Sequence, residues 1–112
     1  MQRDDSIYLR HILDSIAKIE VYLQGVDEAI FNQNTLIQDA VIRQIEVIGE
    51  ATRRLSSELR DMHGQIPWQD IAGMRDKLIH DYFGVDIEKV WLTAQDDLPV
   101  LKSSVGKILA EL

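Results

Sequence analysis

Cysteine is absent from this chain, so neither disulfides nor thiolate metal ligands can contribute to its fold or chemistry. Proline occurs 2 times and glycine 6 times in 112 residues, too few to punctuate a loop-rich fold. No internal repeat or low-complexity tract is present, and no apolar run approaches the roughly 18 to 20 residues that a bilayer span needs. The N-terminus, MQRDDSIYLR, carries acidic residues where a secretory signal would place a basic stretch and then an apolar block. Together these absences predict a cytoplasmic protein that makes no membrane contact. Positive charge is also scarce. With 12 Lys and Arg against 19 Asp and Glu, the net charge is -7, which argues against gripping nucleic acid by bulk electrostatics. Any nucleic-acid chemistry here must rely on a local basic cleft.

What is present suits one helical core. The composition is globular, with 46% hydrophobic and 28% charged residues, and 112 residues predict a single domain over 1–112. From about Asp4 to Gln24, Ile7, His11, Ile12, Ile16, Ile19 and Leu23 recur at helical spacing, with Leu9 and Leu13 beside them and Gly25 as a stop. A helical turn or two is expected over Asp27 to Asn32. A long helix is then predicted from about Thr35 to Met62, with Asn34 as N-cap and a core stripe of Ile37, Val41, Ile45, Ile48, Leu55 and Leu59. Its other side carries Arg43, Glu46, Glu50 and Arg54, with charges one turn apart. Gly49 inside that helix costs about 1 kcal/mol relative to alanine, which predicts close approach of another backbone.

After the break at His63-Gly64-Gln65-Ile66-Pro67, a third helix is predicted from Trp68 to Phe83, ended by Gly84. Asp86 caps the next one, and Pro99 should kink or restart it, with Asp97 as a second N-cap. No segment reads as a strand. The expected architecture is all-α, an up-and-down bundle of four principal helices with a short extra helix and a Pro-kinked C-terminal helix.

One stretch carries candidate chemistry: IAGMRDKLIHDYFGVD, Ile71 to Asp86. On a helical projection Ile71, Met74, Leu78 and Tyr82 form an apolar stripe, and Arg75 falls in its middle. An arginine there is costly unless it is paired or lines a cleft, or unless its stem snorkels past apolar neighbours to a surface carboxylate. His80 lies about 140° around the same helix from Arg75. One straight helix therefore does not join them. They could meet through Arg75's length, through a distortion near Gly84, or across a dimer. Taken singly, His80 also suits a solvent-facing position near a helix end, and Tyr82 a core or rim position.

Taken together, Arg75, His80 and Tyr82 make an R-x4-H-x-Y pattern that resembles the signature of the HepT branch of the HEPN superfamily. Gly49-Glu50-Ala51 within IEVIGEATRRL, the block IPWQDIAGMRDKLIHDYFGVD and the later VWLTAQDDLPVLK extend the resemblance over almost the whole chain. The polar residue expected after the arginine is present as Asp76. The resemblance implies a HEPN-like bundle and a homodimeric ribonuclease toxin with RNA as substrate and no cofactor or metal. It also implies an antitoxin of the MntA kind, a minimal nucleotidyltransferase that AMPylates the motif tyrosine, Tyr82.

The residues suit those roles. RNA supplies its own nucleophile, the 2′-hydroxyl; an imidazole such as His80 can move the proton near neutral pH, and a guanidinium such as Arg75 can grip the phosphate. Asp76 would orient a neighbour or touch the RNA, and a dimer would double Arg75 and Lys77 along one groove. AMP on Tyr82 would add bulk and negative charge beside Arg75. Two other readings stay open. One is a non-catalytic substrate-binding or regulatory subunit of a nucleotidyltransferase, and the other is a helical dimerisation protein with Arg75 in an interface salt bridge. Trp68 and Trp91 read as core. His11 and His63 stand on different segments without metal-ligand spacing. Glu46 and Glu50 read as a solvated or salt-bridged face, or alternatively as partners for Arg75.

Overall fold

A computed structural model describes residues 4–80 and 84–112. The chain is all-α, as its periodicity predicts, apart from one very short ladder. Helix α1 spans Asp4–Tyr22, α2 Glu28–Gln33 and α3 Thr35–Arg53. Then come α4 (Ser57–Met62), α5 (Trp68–Ala72) and α6 (Met74–Leu78). Strands β1 (Ile79–His80) and β2 (Gly84–Val85) follow, then α7 (Ile87–Leu92), a π-helical turn over Thr93–Asp97, and α8 (Leu98–Glu111). Helix α1 packs chiefly on α3, α8 also packs on α1, and α5 and α6 pack on α3. Among the described residues no helix is long and apolar enough to cross a membrane.

The core face of α1 is Leu9, Ile12, Ile16 and Ile19, while Ile7 and His11 are exposed, so the buried stripe is rotated from the predicted one. Helix α3 buries Val41, Ile45, Ile48 and Ala51 against it. Phe31, fully buried, meets Trp91 with ring centroids 5.3 Å apart, and Trp68 is buried with its indole N–H donating to the His63 carbonyl at 3.1 Å. Both tryptophans thus support the core. Expected caps are in place: the side chains of Asn34 and Asp86 accept from the N–H groups of Ile37 and Lys89.

Three departures from the sequence reading matter. The long helix expected from Thr35 to Met62 breaks after Arg53. Ser56 caps α4 through the Leu59 N–H, and the buried Asp5 carboxylate accepts from the Ser56 N–H at 2.8 Å and from its hydroxyl at 2.6 Å. A local cap and a partner 51 residues away together outcompete continued helix. At the C-terminal end α8 does begin directly after Asp97, but Asp97 is itself helical and its side chain makes no cap. A π turn ending at Asp97, two residues before Pro99, leads into α8, and a π turn is a known place for a helix to bend.

The third departure lies in the motif. The helix expected from Trp68 to Phe83 is two short helices divided at Gly73, and it ends at Leu78. Ile79 pairs with Val85 and His80 with Gly84 in an antiparallel ladder, and the Leu78 carbonyl accepts from the Asp86 N–H at 2.8 Å. The chain reverses here because a ladder partner, not the next helical turn, satisfies that carbonyl. Tyr82 and Phe83, the predicted end of that helix, lie outside the described residues.

Candidate active site

Arg75 stands on α6 and lines a cleft of about 700 Å³ between α3, the N-terminal half of α1 and the α5–α6 segment. Gly49 sets how closely those elements approach. A Cβ built on Gly49 would lie 2.9 Å from the Ala72 carbonyl oxygen, so α5 rests directly on the backbone of α3. That is the close approach predicted for this glycine, and it brings Arg75 over the charged face of α3.

There Glu46 receives it. The Arg75 Nε lies 2.7 Å from one Glu46 oxygen in an ion pair, and the Arg43 Nη1 donates to the other at 2.7 Å. Glu46 thereby joins α3 to α6. The Arg43 hydrogen bond first, and then the charges of Arg75 and Arg43, hold its carboxyl below the usual carboxylate value, against an opposing effect of desolvation. Arg75 is thus both paired and cleft-lining, with its side chain 44% exposed, rather than set in an apolar stripe. The division at Gly73 is the reason: Ile71 and Leu78 are buried, but α6 turns Arg75 outward. Its Nη1 lies 3.5 Å from Asp76, so the Nε contact with Glu46 is the shorter of these two ion pairs.

Of the two glutamates, only Glu46 reaches Arg75. Glu50 sits between Arg53 and Arg54 at 3.5 and 3.9 Å. The cleft therefore gathers Arg43, Arg53, Arg54 and Arg75 with Glu46, Glu50 and Asp76. It is the local concentration of guanidinium groups that an acidic chain would need. Lys77 is not part of it. That side chain pairs with Asp70 at 3.2 Å and lines a second, more apolar cleft of about 620 Å³ between α5–α6 and α8, so it does not extend the Arg75 groove within one chain.

The helix arithmetic that separated Arg75 from His80 no longer applies, since Arg75 is helical and His80 belongs to β1. The backbone departs from a straight helix just before Gly84, where β1 pairs with β2. The His80 side chain and all of Tyr82 lie outside the described residues. Sequence reasoning missed two cleft-lining side chains on α1, Tyr8 and His11. Their spacing of three on a helix antiparallel to the Gly49-Glu50-Ala51 segment is the signal that could have found them. Among the described residues no three His, Asp or Glu side chains are grouped as a metal ion would require.

Known proteins sharpen the assignment. The family model described as "Ribonuclease HepT-like" matches residues 12–108. The chain is 47% identical, over its whole length, to a Methanocaldococcus jannaschii protein named as a gamma-glutamylcyclotransferase and candidate RNase, of which it spans 50%. It is 40% identical to the probable ribonuclease HepT of Thermococcus cleftensis, covering 96% of this chain and 98% of that one. A candidate RNase of Caldanaerobacter subterraneus is also 40% identical, over 91% of each chain. No solved structure matches. This chain belongs to the ribonuclease HepT-like family, and the activity that goes with that family is that of a ribonuclease.

Proposed function

We propose that this protein is the toxin of a toxin–antitoxin pair and a metal-independent endoribonuclease, with Arg75 and His80 at its active centre. The observation that carries the reading is the anchored guanidinium: Arg75 is held through Nε by Glu46 in a cleft shared with Arg43, Arg53 and Arg54. An arginine paired through Nε can still offer its outer nitrogens to a phosphate, in exchange for the long 3.5 Å contact that Nη1 makes with Asp76. The 2′-hydroxyl of RNA attacks the adjacent phosphorus, and the bond from phosphorus to the 5′-oxygen breaks. The proton leaves the 2′-oxygen for a base, and an acid returns one to the departing 5′-oxygen. His80 serves one of these transfers, Arg75 stabilises the phosphorane charge, and Asp76 orients its neighbours. The products are a 2′,3′-cyclic phosphate and a 5′-hydroxyl.

Cleavage of transfer or messenger RNA in EDTA is the test. End-group analysis should find the cyclic phosphate or its hydrolysis product, and a divalent-ion requirement would contradict the mechanism. Failure to cleave any RNA would favour a binding subunit of a nucleotidyltransferase, a role the net charge of -7 also suits.

The working form is a homodimer, in which two motif segments share one groove. Its antitoxin is an MntA-like nucleotidyltransferase that AMPylates Tyr82, placing a bulky anion close in sequence to Arg75. Tyr82→Phe should keep RNA cleavage and toxicity yet escape neutralisation when both proteins are co-expressed. Continued protection of cells would place neutralisation at another residue, or in binding alone.

A further inference from the structure

An acidic protein that handles RNA needs affinity beyond bulk charge, and the cleft offers a source for it. Tyr8 and His11 stand one turn apart on α1, with ring centroids 5.9 Å apart and planes at 83°. Both line the cleft that holds Arg53, Arg54 and Arg75. Tyr8 is half-buried and packs on the core, whereas His11 is exposed, so a fixed ring supports an accessible one. Their helix is held in place locally. Asp5, three residues before Tyr8, is clamped to Ser56, two residues after Arg54. The aromatic pair and these arginines therefore keep a set spacing across α1 and the end of α3. Arg53 and Arg54 are more than half exposed and share Glu50 only at 3.5 and 3.9 Å, weak pairs that a phosphate can replace.

We propose that Tyr8 and His11 form a stacking subsite for a base of single-stranded RNA, with Arg53 and Arg54 receiving the neighbouring phosphate. Every base has a π-face, so the subsite is tolerant of sequence, and stacking adds affinity that salt does not screen. This deepens the ribonuclease reading and rests on it for the identity of the ligand.

The test uses the full chain with a fluorescein-labelled, 2′-O-methyl single-stranded 8-mer, which cannot be cleaved, read by anisotropy. Steady-state cleavage of the matching RNA is followed in parallel. Combining Tyr8→Leu with His11→Ala should weaken 8-mer binding about tenfold, within the range of a lost base stack, and raise KM by a similar factor. His11→Phe alone, which keeps a flat ring, should bind like the wild type. The loss in the double variant should persist as salt is raised, while the loss in Arg53→Ala should fade. Unchanged 8-mer binding by the double variant, with RNA still cleaved, overturns the subsite and leaves the ribonuclease reading intact. A wild type that binds the 8-mer but cuts no RNA, with binding lost in the double variant, overturns the ribonuclease reading and keeps the subsite.

Discussion

Arg75→Ala and His80→Ala should each lower RNA cleavage by about 10²- to 10⁴-fold in EDTA, and Arg75→Ala should do so with little change in thermal stability. The two parts of this expectation have separate causes. Arg75 and Glu46 form an exposed pair, with side chains 44% and 39% accessible, and exposed pairs contribute little to folding. After Arg75→Ala, Glu46 keeps its 2.7 Å partner Arg43, so no buried charge is stranded. Catalysis, by contrast, loses the one cleft arginine that belongs to the motif. Arg75→Lys sharpens the result. A lysine keeps the charge but loses the planar fork and the Nε anchor, so it should recover only a small part of the rate. Cleavage rates with a defined RNA, beside melting curves for each variant, would decide the matter. Near wild-type cleavage by Arg75→Ala would remove the cleft from the mechanism.

Gly49→Ala should destabilise the protein by about 1 to 3 kcal/mol, although alanine is normally the better helix residue. The new Cβ would meet the Ala72 carbonyl oxygen at 2.9 Å, and that partner is backbone, which cannot rotate away. Relief requires α5 to retreat from α3. Ala72 lies three residues before Arg75, so the retreat also loosens the grip of Glu46, and cleavage should fall along with stability. Gly106 supplies the control. It is helical too, but a Cβ there has nothing within 4 Å, so Gly106→Ala should gain up to about 1 kcal/mol. Thermal unfolding of the two variants should therefore move in opposite directions, by several degrees in each case. Stabilisation by both would show that α3 and α5 do not touch through Gly49.

Much of this molecule could be read from the order of its residues. The helical class followed from apolar spacing, the caps at Asn34 and Asp86 from side chains that compete for backbone N–H groups, and the role of Gly49 from the cost of a glycine in mid-helix. Such features depend on neighbours within a turn or so, and local chemistry determines them. The motif Arg75-x4-His80-x-Tyr82 was equally legible as a pattern, and with it the family.

What the order of residues could not supply was settled by groups far apart in the chain. The long helix ends at Arg53 because Asp5 reaches Ser56, and α1 faces the core through Leu9 and Ile12 because α3 lies against it. Arg75 left its apparent apolar stripe because the helix divides at Gly73, and Glu46 rather than Glu50 receives it. His80 left the helix because the Leu78 carbonyl found its partner in Asp86. Helical periodicity assigns each side chain a direction only while the helix continues. Where a backbone carbonyl or a capping hydroxyl finds a better partner elsewhere, tertiary contact ends the helix and decides which residues share the cleft.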